Sequence, residues 1–148
     1  MSAIRIEAAR DGESLLKMMA DYNALEGIAW SRERAVPALE RLLHSTELGF
    51  VGLICEGART RGYFALTWGF DLEWSGRDAF LTELYLLPDA RGQGLGTQAL
   101  PLIEATARAH GARALHLMVR PENETARRLY ARAGFESPPR LFLSKPLV

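Results

Sequence analysis

The sequence predicts an α/β (α+β) chain: a mixed, mostly antiparallel sheet with one parallel strand pair and helices on both faces. Three observations carry this. Apolar runs with strand alternation and runs at helical spacing follow one another as β α α β β β α β α β. Residues 80–119 read strand, glycine-rich turn, helix, strand, and such a crossover makes its two strands parallel. The two runs before it, 50–55 and 63–70, are joined by a polar turn and form an antiparallel hairpin.

Ile4 to Ala8 forms a short first strand, with Ile4 and Ile6 on one face. Asp11 then caps a helix of about 14 residues, in which Leu15, Leu16, Met18, Met19, Tyr22 and Leu25 fall at helical spacing. Gly27 stops it, and residues 27–30 are a loop. Residues 32–44 form a second helix, regular from Pro37, because proline suits a first helical turn. Strand 50–55 (FVGLIC), the turn 56–62 and strand 63–70 make the hairpin. A loop, 71–78, leads to strand 80–87, which Pro88 ends because proline cannot continue a ladder. The turn Arg91–Gly96 opens a helix that runs to His110 and stops at Gly111. Pro101 should kink that helix without touching its first turn. Strand 114–119, a helix from the Asn123 cap to Ala133 with Gly134 as its stop, and a final strand 140–144 complete the chain.

The chain has 148 residues, a length that suits a single domain spanning 1–148. Apolar residues make up 48% and charged residues 24%, which excludes disorder. Eighteen basic residues offset eighteen acidic ones, so no nucleic-acid partner is expected. Residues 1–80 are net acidic and 81–148 net basic. No apolar run approaches a membrane span and no secretory leader is visible, so a cytoplasmic protein without a membrane partner is expected. Cys55 is the only cysteine, which excludes an internal disulfide. His44, His110 and His116 lack ligand spacing, so no metal is expected.

The chemistry concentrates in Arg91-Gly92-Gln93-Gly94-Leu95-Gly96-Thr97. Three glycines let backbone N–H groups approach a ligand without a Cβ in the way. The first N–H groups of the following helix have no intrahelical acceptor, and with the helix dipole they attract an anion. Arg91 adds a positive charge. A Walker loop would end in Gly-Lys-Ser/Thr, which is absent, and the G-x-G-x-G spacing departs from the dinucleotide fingerprint. About 27 residues on stands Asn123-x-x-Ala126-x-x-x-Tyr130-x-x-x-Gly134-Phe135. Ala126, Tyr130 and Ala133 share one helix face there.

Together these stretches resemble the GNAT superfamily of acyl-CoA-dependent N-acyltransferases. Its Q/R-x-x-G-x-G/A signature is matched by Arg91, Gly94 and Gly96, after the strand ELYLLP and before the Asn123–Phe135 pattern. The resemblance implies a GNAT-like sheet whose parallel strand pair splays apart to admit acetyl-CoA. It implies that the backbone of Tyr85 and Leu86 meets the pantetheine arm and that the turn from Arg91 to Thr97 takes the pyrophosphate. Asn123 would border the pantetheine, and Tyr130 would face the thioester sulfur as general acid. Glu83 is the only acid between Asp78 and Asp89, set among apolar residues. Desolvation there raises a carboxylate pKa and suits a base. Some polyamine acetyltransferases of this family carry two adjacent acids here, but the first place is Thr82 in this chain. The expected activity is acetyl transfer from acetyl-CoA to a primary amine of a small molecule or peptide. Trp30, Trp68 and Phe70 are expected to line the acceptor pocket. The alternative is a CoA-binding regulatory module that has lost turnover. A homodimer built on Leu141–Leu143 is a further expectation.

Overall fold

A computed structural model describes residues 3–148. These form two compact units, a larger one ending at Met118 and a smaller one, Val119–Val148.

The larger unit is a five-stranded sheet with helices on both faces. Its elements are β1 (Ile4–Ala8), α1 (Glu13–Glu26), α2 (Arg32–Leu43), β2 (Gly49–Glu56), β3 (Arg59–Asp71), β4 (Gly76–Leu86), α3 (Leu95–Ala109) and β5 (Leu115–Leu117). The strands lie in sequence order. The β1–β2, β2–β3 and β3–β4 pairs are antiparallel, and β4–β5 is parallel. The mixed sheet read from the sequence is therefore the sheet observed.

Alternation on the strands sorts the core into two layers. Val51, Tyr63, Ala65 and Tyr85 point to one face, where Leu15, Leu16, Met18 and Leu39 of α1 and α2 cover them. Phe64 and Leu66 point to the other face and are fully buried. On that side the Phe50 ring lies 5.9 Å from Phe64 and 5.4 Å from His110, at the end of α3. Leu95, Ala99, Leu100, Ile103 and Ala107 are the buried stripe of α3.

One irregularity sets the phase of β4. Ala65 pairs with Glu83, but Leu66 pairs with Leu81, so Thr82 is an extra residue, a β-bulge. Tyr85 and Glu83 on one side of the bulge therefore face α1 and α2. Leu81 and Ala79 on the other side face α3.

The element boundaries depart from the sequence reading at several places. Asp11 accepts the Ser14 N–H at 3.3 Å, yet Gly12 occupies the cap position of α1. Helix α2 is regular from Arg32, because Ser31 Oγ accepts the Arg34 N–H at 3.3 Å and fixes its start ahead of Pro37. Helix α3 continues through Pro101. The β2–β3 turn is only Gly57–Ala58, and Arg59–Arg61 belong to the strand. A 3-10 turn at Leu72–Trp74 and Ser75 (φ 56) close the β3–β4 hairpin, so β4 starts at Gly76.

The smaller unit carries α4 (Glu124–Arg132), capped by Asn123, whose Oδ1 accepts the Ala126 N–H at 3.1 Å. The expected strand 140–144 does not form. Pro138, Pro139 and Pro146 bracket that stretch, and proline cannot donate to a ladder. Leu141–Leu143 are exposed without strand geometry.

Candidate active site

A cavity of about 350 Å³ opens on the helical face of the larger unit, between α1, α2 and the strands β2–β4. Its floor includes Tyr63, Ala65, Thr82 and Glu83, and its helical wall includes Asn23, Trp30 and Arg34. The bulge places Glu83 here. It reverses the facing of β4 between Leu81 and Glu83, so the carboxylate meets the cavity and not α3.

Glu83 is half-buried, and Tyr63 Oη donates to its Oε1 at 2.6 Å. Burial pushes the carboxyl above its ordinary range, and the Tyr63 bond opposes this in part. Burial and the adjacent carboxylate drive the Tyr63 hydroxyl upward in turn, so it stays a proton donor at all ordinary pH values. A neighbouring anchor holds the bulge itself. Tyr22 Oη donates to the Thr82 carbonyl at 3.2 Å, and Thr82 Oγ1 donates to the Ala65 carbonyl at 3.2 Å.

Strand β4 outlasts its parallel neighbour. Its last β5 partner is Leu81, while the strand runs on to Leu86. From Thr82 onward its ladder is with β3 alone among the described residues. Tyr85 and Leu86 lie on that open stretch. The Leu86 carbonyl accepts Arg91 Nε at 3.0 Å, and the Arg91 guanidinium lies over the Tyr85 ring at 5.4 Å.

The glycine-rich turn has the backbone its sequence calls for. Gly92 (φ 72) and Gly94 (φ 77) are in the left-handed region, and a Cβ at either would project into open space. Arg91, Gly92, Gln93, Gly94 and Thr97 are exposed, whereas Leu95 and Gly96 are buried at the helix root. Gly94 caps α3 with no side-chain acceptor, which leaves the first N–H groups of the helix for a ligand. Neither glycine brings a side chain over the turn, so its backbone stays open there.

A buried cation braces this turn from below. Arg61, 4% exposed, pairs with Glu56 at 2.5 Å and donates to the Asp89 carbonyl at 3.2 Å. Gln93 Nε2 donates to the same carbonyl at 2.5 Å. Arg59 adds an ion pair to Asp89 at 3.2 Å.

The other expected site residues divide. Trp30 lines the cavity. Trp68 does not: it lies on the α3 face, stacked on His110 at 5.1 Å with Nε1 donating to the Thr46 carbonyl at 2.8 Å. Phe70 follows it at the hairpin tip and is 75% exposed. The even positions of β3 beyond the bulge face away from Glu83, which is why neither aromatic reaches the pocket. In the smaller unit, Tyr130 is half-buried with its ring edge-on to Phe135 at 5.8 Å, and Asn123 spends its oxygen on the α4 cap.

The family model described as acetyltransferase (GNAT) matches residues 15–135. The chain belongs to the GNAT family. A GNAT relative of Mus musculus, thialysine N-epsilon-acetyltransferase, is 26% identical over 145 residues, covering 90% of this chain and 85% of its own. YycN of Bacillus subtilis, an uncharacterized N-acetyltransferase, is 40% identical over 60 residues, covering 40% of this chain and 38% of its own length. An uncharacterized N-acetyltransferase of Mycobacterium tuberculosis is 38% identical over 78 residues, and the chain spans 47% of its length. Among solved structures, an integron cassette protein from a salt-marsh metagenome superposes with a TM-score of 0.84 at 32% identity. That match covers 97% of this chain and 90% of the other. The GNAT fold is shared as well with an aminoglycoside N-acetyltransferase solved with CoA, at a TM-score of 0.76 and 16% identity. Among the described residues of this GNAT chain, no three His, Cys, Asp or Glu side chains are grouped to hold a metal. No described helix is long and apolar enough to cross a membrane.

The sequence did not mark Tyr63, Arg61, Tyr22 or Arg34. Tyr63 was the most accessible of these. It sits two residues before Ala65 on one strand, and a hairpin register would have set it opposite β4.

Proposed function

We propose that this GNAT protein is an acetyl-CoA-dependent N-acetyltransferase whose acceptor is a primary amine of a small molecule or peptide. Glu83 carries the reading. It is a half-buried carboxylate, raised by desolvation, at the floor of a cavity and on the strand whose edge runs past its parallel neighbour. An alkyl amine has a pKa of roughly 10.4 and is protonated at neutral pH, so it cannot attack a thioester until a base removes its proton. Glu83 takes that proton, directly or through water. Tyr130 supplies a proton to the departing sulfur, as a tyrosine hydroxyl can. The Tyr85–Leu86 backbone and the turn from Arg91 to Thr97 would hold the donor, with Asn123 at the pantetheine. The mouse relative is named for an acetyl transfer to an N-epsilon nitrogen, which supports an amine acceptor here.

Calorimetric titration with acetyl-CoA, with ATP as the control, tests the donor site. An amine panel read by thiol release then tests transfer. Glu83→Gln is expected to lower kcat/KM by about 10²–10⁴-fold. Tyr130→Phe is expected to lower kcat by a smaller factor. Turnover that survives both substitutions together overturns the two roles, and equal binding of ATP overturns the donor assignment.

A further inference from the structure

The cavity beside Glu83 is bipolar. Of the side chains that line it, two carry formal charge, and they are opposite: Glu83 on the sheet floor and Arg34 on the first turns of α2. The wall between them is apolar or neutral. Arg34 has no ion pair and no side-chain hydrogen bond among the described residues. Its neighbour Arg32, by contrast, is tied to Glu13 at 2.8 Å. The Trp30 ring also lines the cavity, as part of its apolar wall, with its Nε1 buried away from the solvent-open space.

We infer that the acceptor carries a carboxylate as well as an amine. It is an amino acid or a short peptide with a free acid group, bound with the amine toward Glu83 and the carboxylate toward Arg34. An arginine fork matches a carboxylate in shape and charge. A zwitterion neutralises both ends of the cavity. A polyamine would neutralise Glu83 and bring a second cation toward Arg34, which is a repulsive device against that class. The cavity volume is that of a small-metabolite site. The inference rests on the acetyltransferase reading for the role of Glu83, but the binding site stands on Arg34 and the opposite charge across the cavity.

The test compares free amino acids, lysine among them, with their primary amides and their decarboxylated amines. All three share an amine and differ at the carboxylate. Thiol release from acetyl-CoA is expected to give the acids a kcat/KM at least tenfold above their amides. Arg34→Gln is expected to erase that preference through KM, leaving rates with the amides within about twofold. Arg34→Glu should turn the preference toward the decarboxylated diamine. Arg34 is exposed on α2, and unchanged acetyl-CoA binding by each variant checks its folding. Amides and diamines that match the acids in the native protein, or a loss on Arg34→Gln that is equal for all three, would overturn the inference. Calorimetric titration with the amino acids themselves separates the two readings. Binding that Arg34→Gln abolishes, without any transfer, would keep the site and refute the acetyltransferase. Transfer to amines without selectivity would do the reverse.

Discussion

Replacing Tyr63 with phenylalanine removes one oxygen from a ring that is 1% exposed, and leaves the Glu83 carboxylate without its 2.6 Å donor. A hydrogen bond to a charged group contributes about 1.5–3 kcal/mol. That loss applies only while Glu83 is ionised. The sign follows from linkage. Burial raises the folded Glu83 pKa above its ordinary value of 4.5, so Glu83 favours the folded state below 4.5, and that contribution is lost as pH rises through the raised value. The Tyr63 bond opposes the rise, and Tyr63→Phe strengthens it. The variant should therefore be nearly as stable as the native protein at pH 4. At pH 8 it should be weaker by about 1.5–3 kcal/mol, or roughly 3–12 °C in Tm for a chain of this size. Urea denaturation at both pH values reads the first effect. The acid limb of kcat/KM reads the second and should move to higher pH, because a base that is harder to ionise needs more alkaline solution. A stability loss that is the same at pH 4 and pH 8, with the acid limb unmoved, would show that the Tyr63 bond does not tune Glu83 and that another group is the base.

Two further outcomes test the donor turn. Gly94→Ala places a Cβ at φ 77, where it meets no protein atom, so its cost is conformational, about 1–2 kcal/mol, read by urea denaturation. Its Cβ projects into the open space of the turn, so acetyl-CoA affinity should fall by more than stability does, as read by calorimetry. Arg61→Ala strips a buried ion pair of its cation and should destabilise by about 3–5 kcal/mol. Adding Glu56→Gln should restore part of that, and recovery of nothing in the double variant would show that Arg61 acts through the Asp89 carbonyl alone.

The parts of this molecule legible in the sequence are those fixed by one residue at a time. Gly92 and Gly94 announce a left-handed backbone because other residues are strained there. Glu83 stands out as one acid in an apolar run. Asn123 declares a helix start, and its side chain makes the cap bond. What stayed hidden depends on two strands at once. Arg61 reads as a turn residue until Glu56 across the hairpin makes its burial possible. Trp68 reads as a pocket aromatic until the β3–β4 register sends it to the α3 face. The apolar alternation of Leu141–Leu143 mimics a strand, but the prolines on either side leave the stretch outside regular strand geometry. Arg34 has no signature at all, since one arginine on a charged helix surface looks like any other.

The bulge at Thr82 gives β4 two phases. Odd-numbered residues before it, Ala79 and Leu81, point one way, and odd-numbered residues after it, Glu83 and Tyr85, point the other. Substitution at any of these positions alters one contact. Deleting Thr82 would leave all of these facings as they are, because Leu81 and Glu83 would then be consecutive in a regular ladder opposite Leu66 and Ala65. What it would remove is the Thr82 carbonyl that accepts from Tyr22 Oη and the Thr82 hydroxyl that donates to the Ala65 carbonyl. Deleting Leu84 instead would turn Tyr85 away from α1 and α2, because the strand beyond the cut would shift by one residue. Tolerance to a lost residue along this hairpin should therefore concentrate at the Leu72–Ser75 tip and at the bulge, and fall away in the regular stretches of β4, where one residue decides which side of the sheet performs chemistry.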